Sequence, residues 1–194
     1  MARRIRKLYK IVLPDGSACH GGNGQWSLPK RGKSGAWMPK LSNIEPCARG
    51  YHVLAVKHVT QWLKEDCALY ECEADPKAEY IDHGDKIVVG RARLTRLIGV
   101  MTDAKLRAFA CDCAEHVLPI FEKSFPKDDR PRRAIEATRA WLKDPTAARA
   151  AARAAAGAAA RAAAWATAWD AAGAAAGAAE REWQCKALIT ILKG

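Results

Sequence analysis

The chain has 194 residues, 49% of them hydrophobic, a formal net charge of +11 and a pI near 9.5. That length can bury one large core or two small ones, and the basic balance suits an acidic partner, either nucleic acid or an acidic protein surface. The charge is spread along the chain, 17 basic against 10 acidic residues before Thr102 and 15 against 11 from there on, so no polybasic tail marks a nucleic-acid binder. No apolar stretch of secretion-signal length follows Met1-Ala-Arg-Arg-Ile-Arg-Lys7, and Arg149, Arg153, Arg161 and Asp170 interrupt the long alanine run. A soluble protein of a reducing cytoplasm is expected, with no membrane span and with its seven cysteines as free thiols.

In chain order, residues 5–13 read as a strand ended by the turn Pro14-Asp15-Gly16-Ser17, where proline presets one dihedral and glycine supplies a positive one. Cys19 to Gly50 is a long Gly/Pro/Lys-rich stretch whose Trp26 and Trp37 argue that it packs on something. A short helix over 58–65 follows, then strands over 67–73 and 86–97 with Asp82-His83-Gly84-Asp85 as a turn. Residues 1–101 therefore read as a small, mainly antiparallel α+β domain.

Thr102-Asp103 caps a helix with Leu106, Phe109, Ala110, Cys113, Val117 and Ile120 on its buried face, and Pro119 should kink it near its end. Asp129-Arg130-Pro131 opens a second helix and Asp144-Pro145 a third. As one helix, residues 146–192 would run about 70 Å. A domain of this size is only about 40 Å across, so a break near Gly173, Gly177 or Gly157 is expected. Residues 102–194 read as an alanine-rich bundle of about four helices, and the whole chain as α+β.

Several constellations could carry chemistry. Cys19, His20, Cys47 and His52 could supply four soft metal ligands, but zinc sites pair ligands two to four residues apart in each half. A tight turn at Pro46-Cys47-Ala48-Arg49-Gly50-Tyr51-His52, with the histidine hydrogen-bonded inside, is the commoner outcome for such a sequence. His20-Gly21-Gly22-Asn23-Gly24 offers bare backbone N–H groups that could cradle phosphate, yet it lacks the lysine and hydroxyl of a nucleotide loop. A plain flexible loop is the expectation there. In Cys111-Asp112-Cys113-Ala114-Glu115-His116, Cys113 and His116 are helix neighbours and conceivable as a nucleophile pair. Both cysteines fall in the apolar register, where buried thiols are commonplace. No catalytic residue, no metal and no cofactor is expected, and a small enzyme using Cys47 and His52 is a minor reading.

The candidate binding residues are Trp26, Lys30, Arg31, Lys33, Trp37 and Lys40 in the N-terminal loop, an aromatic and basic set that could stack bases and meet phosphates. To these are added Arg132 and Arg133 beside a helix start, and Arg161, Trp165 and Trp169, which share one helix face. For that trio the plainer alternative is two packed tryptophans and a solvated arginine.

The run Phe109-Ala-Cys-Asp-Cys-Ala-Glu-His-Val-Leu-Pro-Ile-Phe-Glu-Lys123, the segment Pro126-Lys-Asp-Asp-Arg-Pro-Arg-Arg-Ala-Ile-Glu-Ala-Thr-Arg-Ala-Trp-Leu142 and the alanine runs resemble the immunity-protein helical family over about 103–192. The front half, with Cys-His-Gly-Gly-Asn-Gly and Pro-Cys-x-x-Gly-Tyr-His, is similar to an uncharacterised domain common in phage genomes. The resemblance implies a non-enzymatic protein that neutralises another protein by binding it, either as an immunity-type inhibitor or as a phage anti-defence (anti-CRISPR-like) protein. Its target would be acidic or nucleic-acid-associated. The alternative is a nucleic-acid-binding protein that uses the basic, tryptophan-containing loop.

Overall fold

The structure is a computed structural model that describes residues 7–144 and 177–193. The chain divides into two compact units, Met1–Thr102 with Leu188–Gly194, and Asp103–Ala187. The α+β class expected from the sequence is the class observed.

The first unit is a six-stranded sheet of β1 (Leu8–Val12), β2 (Tyr51–Ala55), β3 (Ala68–Ala74), β4 (Tyr80–Asp82), β5 (Ile87–Val89) and β6 (Ala92–Val100), in the order β4-β5-β2-β1-β3-β6. Its strand pairs are antiparallel. The short helix expected over 58–65 is a 3-10 segment, Val56–Trp62. The single strand expected over 86–97 is two strands, because Gly90 turns away from the ladder and bonds to Glu79 and Leu41 instead. β2 and the three-residue β4 were not anticipated.

The turn after β1 forms as its residue types require. Gly16 takes φ +91°, its N–H donates to the Leu13 carbonyl, and Asp15 accepts from both the N–H and hydroxyl of Ser17. The long 19–50 stretch is held down along the edge strand β6. Gly35, Met38 and Leu41 donate to the carbonyls of Leu94, Ala92 and Gly90 at 2.8–2.9 Å. Trp26 and Met38 from this stretch join Leu8, Val12, Val53, Tyr70 and Leu94 in one buried cluster. On β3 and β6, Glu71 and Glu73 pair with Arg96 and Arg93, a cross-strand charge pattern that fixes register on the wetter face.

The helical part comprises, among the described residues, α1 (Asp103–Ser124), α2 (Arg130–Lys143) and α3 (Gly177–Lys193). α1 buries Phe109, Cys111, Val117 and Leu118, whereas Ile120, expected inward, is 57% exposed. Pro119 lies inside a single helix. Asp129 caps α2 without a side-chain hydrogen bond; the neighbouring Asp128 does that work, accepting from the Arg130 N–H and guanidinium. That contact holds the Asp128 carboxyl at about 2. α1 and α2 share a small core of Cys111, Leu118 and Ile135. Beside it Arg139 of α2 donates to both Asp112 and Glu115 of α1, the second pair at 2.7–3.0 Å. Further along, His116 stacks on Trp183 of α3, centroids 3.8 Å apart, and pairs with the buried Glu180 at 3.1 Å. Asp144 ends α2 in an extended conformation. The third helix expected to start at Asp144-Pro145 and the break expected near Gly173, Gly177 or Gly157 fall in or against residues outside those described, Gly177 being the first described residue of α3.

Two outcomes follow. A Cβ on Gly99 of β6 would overlap the Leu192 carbonyl near the end of α3, whereas one on Gly22 would meet only an ordinary contact. Gly99→Ala is expected to destabilise the protein by about 1–3 kcal/mol in urea unfolding and Gly22→Ala by much less. Arg139→Met should lower stability by about 1–2 kcal/mol at pH 7. The Arg139 hydrogen bond holds the Glu115 carboxyl below its usual value. The lost stability is therefore present above the ordinary carboxylate range and disappears as pH falls through the lowered value. Wild type and variant should converge in thermal melts near pH 3.

Candidate functional site

The central strands of the sheet part company. β1 and β2 pair only at Leu8↔Ala55 and Tyr9↔Leu54. Beyond that point β1 stays with β3 as far as Val12, while β2 stays with β5 over Tyr51–Val53. A wedge opens between Lys10–Val12 and Tyr51–Val53. A cavity of about 920 Å³ occupies it, lined by strand residues of β1 and β2, by the loops 18–26 and 47–50, and by Trp62 and Lys86. That volume is typical of a small-molecule site.

Lys10 is the unusual residue. Leu8 and Val12 belong to the buried cluster, and strand alternation puts Lys10 between them on the same face. Its cross-strand neighbour is the buried Tyr70. Its Nζ lies 5.3 Å from the Trp26 ring centroid, and among the described residues no carboxylate pairs with it. Burial presses its pKa below the usual lysine value. An ammonium in such a place is costly, and one cation–π contact offsets only part of that.

Other cationic groups face the same space. Lys86 precedes β5, is 8% exposed, and holds its Nζ 5.2 Å from the Trp62 centroid and 3.4 Å from the Asp85 carboxylate. His20 meets the edge of Trp62 and donates from Nε2 to the Trp62 carbonyl at 3.1 Å. His52 Nε2 accepts from the Cys47 N–H at 3.1 Å, so its proton sits on Nδ1. Burial, and then the field of Lys10, pushes both imidazoles below the usual histidine value; Lys64 adds to this at His20 and Lys86 at His52.

This geometry revises the chemistry expected from the sequence. Cys19, His20, Cys47 and His52 do converge on one cavity, but one ring nitrogen of each histidine is engaged within the protein. Cys19 Sγ lies 3.5 Å from the Ile11 carbonyl. Among the described residues no group of three or more His, Cys, Asp or Glu side chains could hold a metal ion. His52 cannot take a proton from the Cys47 thiol at the nitrogen that the Cys47 N–H already occupies. The Cys113–His116 pair is disarmed in another way. Burial pushes the Cys113 thiol up to about 12, and His116 is committed to Trp183 and Glu180.

The expected binding residues scatter. Trp26 is only 4% exposed and packs edge-on against Tyr51, 5.5 Å between centroids, so it cannot stack a base on the surface; it forms part of the core and the cavity wall. Trp37 is half-buried beneath Arg91 and Arg93. Lys30 and Lys33 close a two-residue hairpin over Arg31 and Gly32, both at positive φ as a type I′ turn requires, which leaves Lys30, Arg31 and Lys33 exposed. Lys40 is exposed as well. Arg132 and Arg133 pair with Glu122 and Asp129. Arg161, Trp165 and Trp169 lie outside the described residues. Sequence reading missed Lys10, Tyr51, Trp62 and Lys86, although a lysine amid Leu8-Tyr9-Lys10-Ile11-Val12 is a visible break in an apolar strand.

Residues 96–181 match a family model described as Imm-5 like putative immunity protein. The match covers the end of the sheet unit and most of the helical unit, so it carries the immunity-like reading of the C-terminal region and leaves the cavity outside it. No curated protein and no solved structure gives a significant match to the chain. Among the described residues no helix is long and apolar enough to cross a membrane.

Replacing the Lys10 ammonium with an apolar chain of similar length should remove the penalty described above. Lys10→Met is expected to raise stability by about 1–2 kcal/mol in thermal or urea unfolding. A loss of stability of that size would mean that Lys10 is a structural element of the core.

Proposed function

We propose that the chain is an immunity-type inhibitor, a protein that neutralises another protein by binding it, acting in the cytoplasm of a bacterial cell. The single observation that carries this reading is the family match over residues 96–181. A phage anti-defence role is the finer version of the same reading, with a nuclease or a nucleic-acid-guided complex of the host as the target. The basic charge would steer the chain to an acidic protein surface and raise the rate of encounter.

Within the matched region one surface suits protein contact. At the end of α1, Ile120 and Phe125 are each 57% exposed, and Phe125 packs on Phe121 with centroids 5.0 Å apart. Exposed apolar groups of this kind, with the charged Glu122, Lys123 and Lys127 beside them in the chain, are typical anchors of an interface.

The test is neutralisation in cells. Each gene flanking this one, and each defence nuclease of the host, is expressed with and without the chain. One of these products should be toxic or active alone, silenced when co-expressed with the chain, and recovered with it as a stoichiometric complex. Phe125→Asp should weaken that complex about tenfold or more while leaving the melting temperature unchanged. A chain that leaves all of those products as active as before, and forms no complex with any of them, would overturn the proposal.

A further inference from the structure

We propose that the cavity at the split between β1 and β2 binds a small organic anion carrying phosphate and a flat ring, the chemistry of a nucleotide. This is independent of the immunity-type reading, because the cavity lies outside the matched residues.

The charge of the cavity carries the first part. Lys10, Arg49 and Lys86 line it together with two histidines, and no aspartate or glutamate does. The nearest carboxylate partner is Asp85, beside Lys86. A protein surface normally mixes both signs, and low-dielectric walls bearing one sign focus the field on a counter-ion of the other. Lys10 sharpens this point. It takes a half-buried position between two core residues of a central strand and, among the described residues, has no carboxylate partner, an arrangement that folding alone disfavours. An anion in the cavity would supply the missing charge.

The donors favour phosphate over a carboxylate. They come from separate directions: Lys10 on β1, Lys86 before β5, the remaining Nδ1–H of His52 on β2, and the glycine loop. In that loop Gly21, Gly22 and Asn23 all line the cavity, and among the described residues their N–H groups have no protein acceptor. A tetrahedral group with several oxygens can satisfy donors arriving from such different directions, whereas a planar carboxylate offers only two oxygens. Bare glycine N–H groups beside lysines are also the usual furniture of phosphate sites.

The ring requirement comes from the aromatic walls. Trp26 packs edge-on against Tyr51 and Trp62 against His20, all four line the cavity, and each tryptophan carries an ammonium near its face. Such surfaces suit a flat heterocycle, which gains stacking energy without needing a specific hydrogen-bond pattern. The cavity is large enough for both parts of the ligand at once.

The experiment is calorimetric titration of the full-length chain with ADP, AMP, adenosine and inorganic phosphate at constant ionic strength. ADP or AMP should bind about tenfold or more tightly than adenosine or inorganic phosphate. Lys10→Met and Lys86→Met should each weaken that binding about tenfold or more, with the Lys10→Met melting temperature held or raised. The exposed turn supplies a control: Lys30→Gln, Arg31→Gln and Lys33→Gln combined should leave binding unchanged. If Lys10→Met does not fold, Lys86→Met and Trp62→Leu carry the test. Absence of heat with both nucleotides would overturn the proposal. So would inorganic phosphate binding as tightly as ADP, unaltered binding in the lysine variants, or loss of binding in the turn variant.

Discussion

An ammonium placed where a strand's alternation asks for an apolar side chain is the constraint around which the sheet unit is organised. Lys10 follows Leu8 and precedes Val12 on a face that is otherwise core. Full pairing of β1 with β2 would close the sheet over that charge. Instead the two strands separate after two residue pairs, and each keeps its ladder with its outer neighbour. The unit retains its apolar cluster on either side of the wedge and admits solvent, or a ligand, to the one charge that needs it.

The long Gly/Pro stretch makes sense in that light. It has little regular structure of its own, yet it is not loose. Its backbone is bonded to β6 at two points and to Gly90 just before it, and it sends Trp26 and Met38 into the core. Gly50, at φ +131° and with no room for a Cβ beside Val88, lets the chain turn from Cys47 into β2 so that Tyr51 and His52 arrive at the wedge. The helical unit uses a different economy. Among its described residues the shared core of α1 and α2 is small, and much of the specificity falls to directional contacts: the Arg139 fork on Asp112 and Glu115, and the His116–Trp183 stack.

Much of this was legible in the residues, and the failures have physical causes. The α+β class and the helix starts near 103 and 130 follow from apolar period, proline and acidic caps. β2 was hidden because its five residues follow a glycine turn and contain Tyr51 and His52 in place of a clean apolar alternation. β5 and β6 merged because Ile87-Val88-Val89 runs straight into the alternating Arg91-Ala92-Arg93-Leu94, and Gly90 alone marks the break between the two strands. The cavity was half visible. Cys19-His20 with the glycine loop, and Cys47-to-His52, each stood out alone, but local spacing could not show that these two distant segments meet beside Lys10. Trp26 was read both as a sign that the loop packs down and as a ring that could stack bases; its burial, through a tertiary contact with Tyr51, bears out the first and removes the second.

The two units thus present two kinds of surface, a charged and aromatic recess in one and an exposed apolar helix end in the other, and only the second falls within the immunity-like match. The state of one lysine decides whether the recess is a site. Titration of Lys10 by ¹³Cε NMR in the full-length chain, alone and with ADP, measures it directly. The account predicts a value below that of ordinary lysine in the free protein, rising when ADP is added. An ordinary lysine value that ADP leaves in place would contradict it.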